Sequence, residues 1–172
     1  MQGPTSARTI QPDDDAAADL RADLRADLLE RNPSRSLAAF EVAQAAAEPH
    51  RFDLLVTALD SRNQLVGMKA AEALESYGKA AVGPLLRAID EARILVKERI
   101  VRALGVIGSP QAVAALVDLL HTTGEVSMRY TIIEALGNLG DSSLVELLRP
   151  YLDDGDHHVR EKTQIALEKL TS

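Results

Sequence analysis

The chain of 172 residues contains no cysteine and no tryptophan. Without cysteine there are no disulfides, no Cys-based zinc site and no thiol nucleophile. The absence also fits a reducing compartment. Aromatic residues make up only 3% of the chain, which counts against a sheet protein, because aromatic and β-branched side chains are the ones strands favour. No apolar run approaches the roughly 18–20 residues that cross a bilayer, and Met1–Asp15 has no apolar stretch of the kind a secretory signal carries. The expectation is a cytoplasmic protein with no membrane insertion. Positive charge is also short: the formal net charge is −7. An acidic surface repels phosphate backbones, so no nucleic-acid partner is expected.

The motifs of common catalytic centres are missing too. Gly105-Val106-Ile107-Gly108 lacks the Lys-Ser/Thr that completes a phosphate-binding loop, and there is no Gly-x-Ser-x-Gly elbow. Asp153-Asp154-Gly155-Asp156-His157-His158 is the one cluster with metal-type side chains, but it lacks the spacing of an EF-hand loop. It falls where a turn is expected, and turns favour aspartate. Carboxylates are abundant, as on any solvated helix surface, and none is singled out for acid–base work. The expectation is no catalytic residue, no metal and no cofactor.

What the chain does have is alanine, leucine and valine, within a hydrophobic fraction of 46%. Alanine and leucine are strong helix formers. Residues 1–15 hold Gly3, Pro4, Ser6, Pro12 and Asp13–Asp15 and read as a flexible tail. Residues 16–31 contain a near-repeat in which Leu20, Leu24 and Leu28 recur every fourth residue. That spacing puts an apolar stripe on a helix. This N-terminal helix either caps the open end of a stack of helices or dimerises through the stripe.

From Ser34 onward the chain repeats itself. Ala73-Leu74-Glu75-Ser76-Tyr77-Gly78, Ala103-Leu104-Gly105-Val106-Ile107-Gly108, Ala135-Leu136-Gly137-Asn138-Leu139-Gly140 and Ala166-Leu167-Glu168-Lys169-Leu170 align at spacings of about 30–32 residues. An apolar residue precedes each alanine (Val66, Val96, Met128, Val159), and next to it stands Gly67, Lys97, Arg129 or Arg160. Leu85-Leu86, Leu116-Val117 and Leu147-Leu148 come in the same register. Each unit is a helix ended by glycine, a turn and a second helix. Ser109-Pro110 and Asp141-Ser142-Ser143 supply helix starts at that turn. The second helices are expected near 80–90, 110–121 and 142–153. The units fall at 34–60, 63–90, 93–121 and 125–153, and Pro49 separates the two helices of the first. Residues 156–170 form a closing helix with charge outside, as a terminal cap needs. The basic residues Lys97, Arg129 and Arg160 are expected in an Asp–Arg ladder along the turns.

The pattern Val-Arg, Ala-Leu-Gly-x-x-Gly, then Asp or Pro and an apolar second helix resembles HEAT-like repeats of the short phycobilisome-lyase-type class. Residues 96–120, 128–152 and 159–170 match best, and 65–89 match less well because Gly67 replaces the basic residue. The resemblance implies an all-α solenoid of stacked helical hairpins, a right-handed superhelix with helical caps, forming a single domain over 16–172. It also implies that second helices line the concave side. With Val82, Leu85 and Ile89, then Val113, Leu116, Val117 and Leu120, then Leu144, Leu147 and Leu148 turned inward, the outward set is Lys79, Arg87, Gln111, Asp118, Leu119, Glu146, Arg149 and Tyr151. Those eight are the candidate partner-binding residues, and Arg87, Arg149 and Tyr151 are the anchors, since Arg and Tyr are common in interface hot spots.

The expected function is a non-catalytic adaptor binding another protein. The alternative implied by the resemblance is a bilin-lyase-type subunit acting on tetrapyrrole-carrying proteins, although few aromatics are available to line a pigment pocket. Repeat-type di-iron hydroxylases resemble this fold and use His-Glu pairs, whereas His50, His121, His157 and His158 are followed by Arg51, Thr122, His158 and Val159. Repeat-type alkylbase DNA glycosylases need a basic groove with aromatics, which this composition does not supply.

Overall fold

The computed structural model describes residues 13–48 and 50–172, with side chains from residue 18 onward. Residues 1–12, most of the expected tail, and Pro49 lie outside the described residues. The chain forms α1 (Asp13–Leu29), α2 (Pro33–Ala45), α3 (His50–Ala58), α4 (Gln64–Ser76), α5 (Lys79–Ala88), α6 (Ile94–Ile107), α7 (Val113–Thr122), α8 (Val126–Leu139), α9 (Val145–Leu148) and α10 (His157–Thr171). No strand occurs among the described residues. The fold is an all-α stack of helical hairpins.

The helix ends obey local chemistry. The Asn32 side-chain oxygen accepts from the backbone N–H of Ser34 at 3.0 Å and of Arg35 at 3.4 Å, and Pro33 fills the first turn of α2. Asp156 caps α10 by accepting from His158 N–H at 2.8 Å and Val159 N–H at 3.2 Å. Gly108 and Gly140 end α6 and α8 in the left-handed region, with φ of 67° and 71°. A side chain there would be strained, which is why glycine recurs at these positions.

Two segments differ from the sequence-based expectation. Asp13–Asp15 are the first residues of α1 rather than the end of a tail, a place where acidic residues favour helix initiation. The last second helix is not continuous. Only α9 is α-helical, and it lies between 3₁₀ turns at Ser142–Leu144 and Arg149–Asp153. Pro150 has no N–H to give to an α ladder and crowds the preceding turn, so the chain tightens there instead of continuing.

The first helices α4, α6, α8 and α10 lie side by side, and the second helices back them. Leu55, Leu74, Leu85, Leu104, Leu116, Leu136 and Leu148 are fully buried and run through successive units as one apolar cluster. The spacing between first helices is set by small residues. A Cβ on Gly105 would lie 2.8 Å from Ala135 Cα, and one on Gly137 would lie 2.7 Å from Ala166 Cβ. These contacts are closer than side chains tolerate, so α6, α8 and α10 approach almost backbone to backbone.

At the turn before α10, Arg129 Nε lies 3.2 Å from an Asp154 carboxylate oxygen. Arg160 donates to the backbone carbonyls of Asp154 at 2.7 Å and Gly155 at 3.1 Å. The Asp–Arg arrangement is thus present at this turn, whereas Lys97 forms no ion pair among the described residues. At the other end, α1 packs on α2 and α3. Its leucine stripe divides: Leu28 is 0% exposed, Leu24 is half-buried against the core and Leu20 is 70% exposed.

Candidate partner-binding surface

Of the eight residues singled out on the second helices, Lys79, Arg87, Gln111, Asp118, Glu146 and Arg149 are exposed. Leu119 is half-buried against the core. Tyr151 is half-buried as well, not outward as the helical register implied. The break in the last second helix turns its ring toward the core beside Arg129 and Asp154. Burial raises the Tyr151 phenol pKa, and the neighbouring Arg129 charge opposes that rise. Arg149 is tied to Glu146 at 3.0 Å along the same turn. The eight residues do not converge. Arg87 borders a shallow groove with Arg25 and Asp53, Asp118 and Leu119 border another with Leu86 and Ile89, and Arg149 borders a third with Leu152 and Glu168.

The first-helix face carries a different feature. A groove of 360 Å³ opens between α4 and α6, lined by Met68, Glu72, Glu75, Leu95, Glu98 and Arg99 among others. Repeat register explains why it opens here. Gly105 and Gly137 occupy the position at which each first helix meets the alanine of the next, and in α4 that position is Glu75. A carboxylate side chain keeps two helices apart where glycine lets them touch. Met68 and Leu95 line the groove, each about half exposed, and Leu65 and Ile94, beside the lining residues Gln64 and Leu95 in the chain, are exposed to the same degree.

Arg99 and Gly67 form a compensating pair. The Arg99 guanidinium passes over Gly67, where a Cβ would collide with Nη1, and donates to the Leu59 carbonyl at the end of α3. The glycine that weakens the repeat pattern in the sequence is therefore the space through which Arg99 reaches across. In the next two units the residues equivalent to Arg99 are Thr131, which bonds back to the Ser127 carbonyl at 2.8 Å, and Lys162, which meets Glu134 at 2.7 Å.

Burial, and secondarily the charge of Glu72, raises the Glu75 pKa above the ordinary glutamate range. The folded protein therefore holds this proton more tightly than the unfolded chain. Its contribution favours the fold at acid pH and is lost as pH rises from the ordinary glutamate range through the raised folded value. Glu75→Gln should melt at a higher temperature than the parent near about pH 7 to 8. The difference should shrink as pH falls through the glutamate range. A difference constant with pH in calorimetry would rule out charge as the cause.

A second groove, of 500 Å³ and mostly apolar, lies where α1 crosses α2 and α3, bordered by Leu20, Leu24, Val42 and Leu54. Arg21 and His50 meet at its edge, 3.0 Å apart. Neither groove was found from the sequence. The signal for the first was available: Glu75 breaks the glycine register of the later units, and Leu65 and Leu95 recur at one repeat position. Among the described residues, no group of three or more His, Asp or Glu side chains is placed to hold a metal ion, and no helix is long and apolar enough to cross a membrane.

Comparison with known proteins agrees with the architecture. The family model for HEAT repeats matches residues 84–168. The phycocyanin operon protein Z of Pseudanabaena tenuis is 27% identical over 152 residues, which is 82% of this chain and 75% of that one. The deoxyhypusine hydroxylase of Homo sapiens is 33% identical over 94 residues, 54% of this chain. This chain spans only 31% of that hydroxylase's length. Among solved structures, the complex of CpcE and CpcF of phycocyanin lyase from Nostoc sp. PCC7120 shares the fold, with a TM-score of 0.64, 24% identity, and coverage of 70% of this chain and 78% of that one. The chain thus carries HEAT repeats over residues 84–168, has the fold of HEAT-like repeat proteins, and is similar to proteins of the short phycobilisome-lyase type.

Proposed function

We propose that this HEAT-like array is a non-catalytic scaffold that binds a partner protein on a preformed surface. The observation that carries the reading is the pair of half-exposed apolar side chains Met68 and Leu95 lining the open α4–α6 groove. Stacked repeats present such a surface with little left to order, so binding loses little conformational entropy. The second-helix residues Lys79, Arg87, Gln111, Asp118, Leu119, Glu146, Arg149 and Tyr151 remain the competing surface. They are mostly polar, and Arg87, Asp118, Leu119 and Arg149 border three separate grooves, which favours the first-helix face.

A second reading is a lyase-type subunit acting with tetrapyrrole-carrying proteins. Its support is the likeness, over most of the chain, to a phycocyanin operon protein, together with the fold shared with a phycocyanin lyase complex. Against it, none of the five grooves is lined by Phe or Tyr to hold a flat pigment.

The test is capture from a lysate of the source organism by the immobilised parent, by Met68→Glu/Leu95→Glu and by Arg87→Glu/Arg149→Glu, read by mass spectrometry and visible absorbance. The scaffold reading expects a colourless protein held by the parent and by the second-helix variant but lost by the first-helix variant. Loss by the second-helix variant alone would move the surface to that face. Visible absorbance in the eluate would replace the scaffold reading with the lyase-type one.

A further inference from the structure

We infer that the α4–α6 groove receives one basic side chain, Lys or Arg, from an apolar-flanked segment of the partner protein. The inference rests on the scaffold reading and adds the chemistry of the partner. Glu72 and Glu75 both face this groove. Neither has a cation within ion-pair distance among the described residues. Two arginines line the same groove, and neither forms an ion pair with these carboxylates. Arg99 is held by the Leu59 carbonyl, and Arg102 borders the groove without pairing to either carboxylate. Glu98 already accepts from Ser127 Oγ at 2.6 Å. Two carboxylates, that of Glu75 partly desolvated, therefore stand together with acceptor capacity unused. Like charges so placed disfavour each other until a cation arrives.

The rim completes the recognition. Met68 and Leu95, about half exposed, flank the carboxylates. Lys and Arg lay their aliphatic stems along apolar surface and carry charge at the tip, which is the pattern of this groove. A volume of 360 Å³ is at the lower end of ordinary ligand pockets, roughly 300–1,000 Å³, which suits one long side chain rather than a flat cofactor. Glu72, Glu75 and Glu98 outnumber Arg99 and Arg102 in the lining, so the groove favours a cation over a phosphate.

The experiment uses the whole chain, labelled with ¹⁵N, and two synthetic helical peptides that differ at one residue: arginine flanked by leucines, or its uncharged isostere citrulline. The arginine peptide should shift backbone amides of residues 64–75 and 95–102. The citrulline peptide should bind at least about tenfold more weakly. In Glu72→Gln/Glu75→Gln, checked for unchanged helical circular dichroism, the two peptides should bind alike. Absence of shifts, shifts confined to other helices, or an arginine preference that survives in the variant would each overturn the proposal. So would concentration-dependent broadening of residues 64–75 without peptide, which would make a second copy the occupant. Failure here alongside lysate capture that Met68→Glu/Leu95→Glu abolishes would leave the scaffold reading standing and remove only the cation.

Discussion

Gly137→Ala should destabilise the protein by about 1–3 kcal/mol, the usual range for overfilling a packed contact. In an open helix the same substitution is expected to gain up to ~1 kcal/mol, because alanine is the better helix former. The sign reverses here because the new methyl would sit 2.7 Å from Ala166 Cβ and 2.8 Å from its Cα. Ala166 cannot move without shifting α10, whose buried residues Val159, Thr163 and Leu170 tie it to the array. Gly83 in α5 is the internal control. It is exposed, and a Cβ there meets nothing closer than the mobile end of Arg87 at 3.6 Å. Gly83→Ala should therefore be stabilising. Urea denaturation of the two variants beside the parent decides the matter. Equal effects on both would mean that α8 and α10 can part freely, and the close approach would lose its structural role. Because each repeat contacts only its neighbours, hydrogen exchange in Gly137→Ala should rise first in α8 and α10.

Leu28→Ala should lower stability by about 2–5 kcal/mol, the range for truncating a fully buried leucine. Leu20→Ala should stay within about 0.5 kcal/mol of the parent. Both residues lie on the same helical stripe, so the contrast isolates what that stripe does. Leu28 is 0% exposed and Leu24 is half-buried, so the C-terminal half of α1 closes the first hairpin. Leu20 projects beyond the covered core beside Val42. A large loss from Leu20→Ala in thermal melts, dependent on protein concentration, would instead identify α1 as a dimer contact. Similar small losses from both would mean that α1 adds little to the stack.

Much of the architecture was legible because repeats carry redundant information. Ala73, Ala103, Ala135 and Ala166 share one register, and each of these four is buried. Gly78, Gly108 and Gly140 read as helix ends for a local reason; Gly108 and Gly140 cap α6 and α8 in the left-handed region, whereas α4 closes on Tyr77 and Gly78, at φ 56° and ψ −131°, instead precedes α5. Among the described residues, α2–α3, α4–α5, α6–α7 and α8–α9 follow one another as helix pairs between α1 and α10. Departures came where a local feature overrode the repeat. Pro150 broke the last second helix, and with it the expected outward direction of Tyr151.

The site was harder to see, because a surface is defined by what neighbouring elements leave uncovered. Sequence register placed Arg87, Gln111, Asp118 and Arg149 outward, and they are exposed, but exposure does not bring them together. The α4–α6 groove depends on distances between helices, on Glu75 where Gly105 and Gly137 stand in the next units, and on Arg99 crossing the gap above Gly67. The sequence by itself determined the helical class and the repeat register, since these arise from periodicity and short-range backbone chemistry. Only the tertiary structure decided which junctions closed and which stayed open, because that depends on how near two backbones can come once every side chain between them has taken its place.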